Sequence, residues 1–236
     1  MLRAFFFYII VPPWSVLCMF LGLTFGIFPK MRWFMLWIGQ AVWSRGMFLL
    51  AGSRVEITGH PDQIQKDQTY VIVSNHQGYL DVPACFISLP VPIRFLVKKE
   101  ILYIPFLGLY LLLIGMLYVD RKHRDKALQT MKKQAKKIKS GSSVLIYPEG
   151  TRSKDGLVAP FKRGAFILAI EAGVPILPVT LSGSYDILNR NRWALIPGKI
   201  QVHIGKPIPT EGLTHEDRFH LSEKARDLIQ DTLKTL

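Results

Sequence analysis

The hydrophobic pattern divides the chain near residue 50. Ala4 to Pro29 is an uncharged run preceded by Met1-Leu2-Arg3. It is long enough for a helix across a hydrocarbon core, which needs about 20 residues. Pro12 and Pro13 inside it predict a kink or a split. Lys30 and Arg32 bracket a turn, and Trp33 to Ser44 forms a second, shorter uncharged segment ended by Arg45. Trp33, Trp37 and Trp43 are interleaved there among aliphatics, and Trp favours the boundary between acyl chains and water. Residues 1–50 therefore read as a membrane-anchoring helical hairpin that spans once or dips into one leaflet. The competing readings are a buried helix pair of a soluble core and a signal peptide. The second lacks a small-x-small cleavage site.

Residues 51–236 alternate between short apolar runs and helical periods. Strands are predicted over 54–59, 70–74, 93–97, 116–119, 143–147, 176–181 and 199–204. Helices are predicted over 81–89, 122–139, 164–172 (stopped by Gly173) and 216–233, and the strongly apolar 102–113 is read as a core helix or a lining for an acyl chain. Such alternation predicts one α/β domain, a mostly parallel or mixed sheet flanked by helices. In 122–139, Leu128, Met131, Ala135 and Ile138 share one face, and Lys132, Lys133, Lys136, Lys137 and Lys139 take the others. That helix is either a solvated face or a contact with anionic lipid heads.

Composition narrows the partners. The net charge is +13 with 49% hydrophobic residues, and the mean hydropathy is +0.22. The charge calls for an anionic partner, and the apolar excess favours a membrane over nucleic acid. Cys18 and Cys85 form no metal or redox spacing, which fits a reducing compartment.

The chemistry gathers where the strand at 70–74 ends. Asn75-His76 is followed by Asp81, five positions beyond the histidine. Neutral imidazole suits proton abstraction near neutral pH, and a carboxylate on one ring nitrogen leaves the other free as a base. Five positions is slightly more than one helical turn, so a helix starting at Asn75 brings both side chains to the same end. Lys98, Arg121 and Arg152 follow strands and are candidate phosphate anchors, the arginines offering a planar fork. Gly150-Thr151 permits a tight turn whose amides can cradle an anion. No Gly-x-Ser-x-Gly, Walker loop or His-Glu-x-x-His occurs, so no covalent nucleophile and no metal are expected.

The ordered blocks Asn75-His76-x4-Asp81, Phe95-Leu96-Val97-Lys98-Lys99-Glu100, Ile104-Pro105-Phe106-Leu107-Gly108, Gly115 to Arg121, Tyr147-Pro148-Glu149-Gly150-Thr151-Arg152-Ser153 and Val174 to Val179 resemble the glycerolipid acyltransferase family. Within it they resemble the bacterial 1-acyl-sn-glycerol-3-phosphate acyltransferases. The resemblance covers residues 69–207. It implies acyl transfer from acyl-CoA or acyl carrier protein to lysophosphatidic acid, giving phosphatidic acid without a cofactor. His76 would be the base and Asp81 its orienting group, with Lys98, Arg121, Glu149, Gly150, Thr151 and Arg152 at the acceptor's phosphate. The strongly basic domain is expected on the cytoplasmic face of the inner membrane. Gly78 departs from the pattern, since relatives often carry Ser there. Glycerol 3-phosphate or another lysophospholipid remains an open acceptor. A lipid hydrolase and a non-catalytic membrane lipid-binding protein are the readings from other classes.

Overall fold

The computed structural model describes residues 2–26, 28–119, 133–191 and 193–236. Two apolar helices lead the chain. Helix α1 (Leu2–Gly26) continues through Pro12 and Pro13, so the expected split does not occur. The prolines remove the helix bonds to the carbonyls of Tyr8 and Ile9, and the turns on either side carry the helix across. Helix α2 (Arg32–Ala51) extends beyond Arg45 and contains a π-helical stretch, Ile38–Trp43. Indole bonds join the two. Trp14 Nε1 donates to the Trp43 carbonyl at 3.3 Å, and Trp43 Nε1 donates to Ser15 Oγ at 3.0 Å.

Both helices are long and apolar enough to cross a membrane, yet only 11% of the most apolar stretch of α1 and 39% of that of α2 is buried. Phe5, Ile9, Phe20, Trp33 and Leu49 are exposed. A core helix pair of a soluble protein would bury those faces. Apolar surface of this extent calls for a non-aqueous neighbour, which supports association with a membrane.

The remaining chain builds a seven-stranded mixed sheet flanked by helices, in agreement with the expected class. Its strands are β1 (Arg54–Gly59), β2 (Val71–Ser74), β3 (Ile93–Lys98), β4 (Leu117–Val119), β5 (Ser143–Ile146), β6 (Ile176–Ser182) and β7 (Lys199–Ile204). They lie in the order β1-β7-β6-β2-β5-β3-β4, parallel except for the β6/β7 pair. All four residues of β2 and all four of β5 are buried, as expected for central strands covered on both faces. Ile72, Leu145 and Leu177 pack toward α1, α2 and α3 (Asp81–Ser88). Val71, Val73 and Val144 pack toward α5 (Gly164–Ala172) and α7 (Arg218–Thr235).

This topology positions the site. Strand β2 leaves through α3 to β3 on one side, and the neighbouring β5 leaves through α5 to β6 on the other. A crevice opens outside the carboxyl ends of two such strands. His76 follows β2 and Glu149 follows β5, so both stand at that crevice.

One local expectation is corrected, and one element was not expected. The core helix read over 102–113 is broken into a 3₁₀ turn, Lys99–Tyr103, and α4 (Leu107–Leu113). Between them Phe106 has φ of 61°, the one positive value at a non-glycine among the described residues. A Cβ at Gly108 would stand 1.9 Å from the Leu102 carbonyl oxygen. The Ile104-Pro105-Phe106-Leu107-Gly108 block is thus a chain reversal that only glycine permits at its end. The short helix α6 (Ser184–Ile187) was not anticipated. Of the basic segment 122–139, residues 133–139 are helical. Leu128, Met131 and Lys132 lie outside the described residues, as does the expected phosphate anchor Arg121.

Candidate active site

His76 Nδ1 lies 2.6 Å from Asp81 Oδ2. They do not meet through a helix starting at Asn75, as the spacing suggested. Residues 75–80 are a loop, and the helix begins at Asp81 itself. The loop wraps around the carboxylate, so that Oδ2 also accepts from the amides of Gln77 at 2.7 Å and Gly78 at 2.9 Å. Asp81 is fully buried, whereas the His76 side chain retains 19% exposure. Nε2 bonds to no described residue and is left toward the crevice. With Nδ1 donating to the carboxylate, Nε2 carries the lone pair of a base.

The rest of the loop is tied down on every side. Asn75 Nδ2 donates to the Leu181 carbonyl at 2.8 Å, and the Leu181 amide returns a bond to Asn75 Oδ1 at 2.8 Å. Gln77 Nε2 donates to the Gly156 carbonyl at 2.7 Å. The Tyr147 ring stacks on the imidazole, with centroids 4.0 Å apart and planes 14° from parallel. Burial, then the nearby Cys85 and Asp81, hold the Tyr147 phenol well above its ordinary value, so it remains neutral. The spacing of the motifs contained no signal for this stack.

Gly78 has a packing reason. A Cβ there would meet the Ser184 carbonyl oxygen at 2.5 Å and the Leu188 carbonyl oxygen at 2.9 Å. We expect Gly78→Ser to destabilise the protein by about 1–3 kcal/mol, as overpacking does. It should also lower activity, because the adjoining Tyr79 amide donates to Leu188 at 3.0 Å. Thermal unfolding in detergent checks this, and an unchanged midpoint would show that the loop yields freely.

Glu149 is buried, and both its oxygens receive backbone amides. Oε1 accepts from His76 at 2.7 Å and Oε2 from Ala159 at 3.1 Å. Burial raises its carboxyl above the usual range, and the two amide bonds oppose that rise. It braces the backbone of His76 against the strand end of β5. The next residues continue the brace, since the Ser153 amide donates to the His76 carbonyl at 2.7 Å. Gly150 takes a φ of 77°, and Lys162 Nζ lies against its Cα side.

The expected anchors fall as follows. The Arg152 guanidinium sits 3.7 Å from the centroid of the Tyr79 ring, three residues beyond His76. Thr151 is exposed beside it, its hydroxyl accepting from Arg190 at 3.0 Å. Lys98 ends β3, half exposed and 3.4 Å from Glu100.

Beside the site lies an apolar cavity of about 290 Å³ that draws on α1, α2, α3, β3 and α4. Cys18, Gly39, Trp43, Val82, Phe86 and Tyr110 are among its walls. Val82 and Phe86 project from the helix whose first residue is Asp81, so a single helix connects the cavity to the imidazole. Among the described residues no cluster of His, Cys, Asp and Glu could hold a metal.

Comparison with known proteins places this arrangement. The profile of the family described as Acyltransferase matches residues 54–182, more than half of the chain. The human 1-acyl-sn-glycerol-3-phosphate acyltransferase alpha is 39% identical over 181 residues, 75% of this chain. The chain spans 62% of that protein's length, less than two thirds. The 1-acyl-sn-glycerol-3-phosphate acyltransferase of Haemophilus influenzae is 34% identical over 197 residues, 83% of this chain and 81% of its own. The crystal structure of the 1-acyl-sn-glycerophosphate (LPA) acyltransferase PlsC from Thermotoga maritima superposes with a TM-score of 0.82 at 27% identity, covering 99% of this chain and 94% of that one. With a matching profile across the strands that carry the His76–Asp81 pair, and relatives aligned over most of its length, the chain belongs to the acyltransferase family.

Proposed function

We propose that the protein is a membrane-bound 1-acylglycerol-3-phosphate O-acyltransferase, moving a fatty acyl group from an acyl thioester to lysophosphatidic acid to form phosphatidic acid. The observation that carries this reading is the 2.6 Å His76–Asp81 contact, with the second ring nitrogen free at a crevice beside an apolar cavity. His76 Nε2 takes the proton of the acceptor hydroxyl as its oxygen attacks the thioester carbonyl. The new carbon–oxygen bond forms, the carbon–sulfur bond breaks, and the departing thiolate recovers the proton from the imidazolium. Asp81 holds Nδ1–H and balances the imidazolium charge.

Arg152, Thr151 and the Gly150 turn face the acceptor's phosphate, with Lys98 and Arg121 as further cations for it. Glu149 acts through the His76 amide that it holds. The donor is acyl-CoA or acyl carrier protein, and no cofactor enters the reaction. The hairpin of residues 1–50 anchors the α/β domain of residues 51–236 on the cytoplasmic face of the inner membrane, where its positive charge meets anionic lipid.

The cavity accepts the acyl chain. A Cβ at Gly39 would meet nothing nearer than Tyr110 Oη at 3.7 Å, so a larger side chain there would grow into the cavity rather than into the fold. Gly39→Leu is expected to displace about two methylenes. At ~0.8 kcal/mol each this is roughly a tenfold loss with long donors, while short donors are used as before. A chain-length profile identical to that of the wild type would argue that the acyl group lies elsewhere.

The reading as a whole is tested by offering purified protein in detergent a labelled acyl thioester with lysophosphatidic acid, glycerol 3-phosphate or lysophosphatidylcholine. Phosphatidic acid from the first acceptor alone is the expected result. Product from another acceptor would keep the chemistry and change the substrate. No product with either type of donor would leave a lipid-binding protein.

A further inference from the structure

One segment at the crevice has no part in the mechanism above. After α6 the chain folds back over the loop that follows Glu149. Arg190 Nη1 donates to Thr151 Oγ1 at 3.0 Å and to the Arg152 carbonyl at 3.3 Å. Asn191 Nδ2 donates to the Lys154 carbonyl at 2.5 Å, and the Tyr185 hydroxyl donates to the same carbonyl at 2.8 Å. Residues 31 to 39 positions downstream thus hold three members of the loop that carries Arg152.

The donor count leaves Arg190 with capacity to spare. A guanidinium has five N–H donors. Those of Nη1 are engaged, and Nε and Nη2 have no partner among the described residues, although the side chain is exposed. Both bonds go to neutral groups, so neither removes its charge. Thr151 is polarised in the same contact. A hydroxyl that accepts from a cation keeps its own O–H to donate. An anion beside Thr151 would meet that O–H and the open edge of Arg190, with the Arg152 guanidinium next in the chain.

The described residues of the segment make bonds of their own. Asn189 Nδ2 donates to the Tyr185 carbonyl at 2.8 Å, and the Asn191 amide donates to Asn189 Oδ1 at 2.9 Å. Leu188 accepts from the amide of Tyr79, whose ring lies under Arg152. The Trp193 carbonyl accepts from the Tyr8 hydroxyl of α1 at 3.1 Å. Little conformational freedom is left for a ligand to remove.

We propose that Arg190 is a specificity-determining residue for the acceptor's phosphate. It binds a phosphate oxygen through its open N–H edge and positions Thr151 and Arg152 for the others. The assignment rests on the acyltransferase reading above and names a phosphate-binding residue that the motifs did not reveal.

The test uses the full chain in mixed micelles, with lysophosphatidic acid and acyl-CoA each varied in turn. Arg190→Ala is expected to raise the acceptor KM about tenfold or more, with kcat and the donor KM close to wild type. Arg190→Lys, which retains the charge but not the fork, should recover part of the loss. A purely structural role would move kcat and both KM values together, lower the unfolding midpoint, and overturn the assignment. So would an unchanged acceptor KM in Arg190→Ala while the wild type makes phosphatidic acid. A wild-type protein that does not acylate lysophosphatidic acid would instead refute the underlying function, and this proposal with it.

Discussion

His76→Ala is expected to lower acyl transfer by about a thousandfold or more while the protein still floats with lipid vesicles. Among the described residues, the other titratable groups around the imidazole are not available as a replacement base. Asp81 is fully buried with Oδ2 already accepting three donors, and Glu149 has both oxygens committed to backbone amides. The Tyr147 phenol beside the ring is held in its neutral form. The backbone should tolerate the change, because the His76 amide and carbonyl keep their bonds to Glu149 and Ser153. On the proposed reading, membrane binding rests on the exposed apolar faces of α1 and α2, which the substitution does not touch. Single-turnover transfer and vesicle flotation on the same preparation measure both quantities. Turnover within about tenfold of wild type, outside the 10²–10⁴ range of a lost base, would remove His76 from the mechanism.

Asp81→Asn has the second largest expected effect, and the geometry indicates how it arises. Three donors converge on Oδ2 at 2.6, 2.7 and 2.9 Å. A carboxamide with its oxygen in that position keeps all three, so the imidazole retains its orientation and tautomer. Its NH₂ then occupies the place of Oδ1, which is buried and bonds to no described residue. The variant thus loses the charge that balances the imidazolium and places a neutral donor where the wild type already holds an unpaired buried oxygen. A fall of about 10²–10⁴-fold in kcat with both KM values little changed is expected. Asp81→Ala should be worse still, because the amides of Gln77 and Gly78 would lose their acceptor. Equal activities of the Asn and wild-type proteins would show that the carboxylate serves only to shape the loop.

These expectations draw differently on sequence and structure. The strands were readable because β2 and β5, buried on both faces, are continuous apolar runs, and the hairpin because its uncharged stretches are long. His76 and Asp81 were readable because they lie five positions apart, yet the way they meet was not. A helical turn and a loop wrapped around a carboxylate give the same spacing, and only the amides of Gln77 and Gly78 on Oδ2 distinguish them. The break at Phe106 was hidden because an apolar period continues across it and the clash that demands Gly108 comes from a folded neighbour.

By itself the sequence determined the α/β class, the apolar hairpin, the candidate base with its carboxylate, and the resemblance that led to the family, all of which depend on residues close together in the chain. Tertiary structure alone decided the strand order, the antiparallel β6/β7 pair, the two amides that occupy Glu149, the stacking of Tyr147 on His76, the cavity assembled from five elements, and the reach of Arg190 to Thr151. The physical reason is that local periodicity records which side of an element is buried, whereas contacts between residues tens of positions apart arise only when strands pair and crossovers choose a face of the sheet.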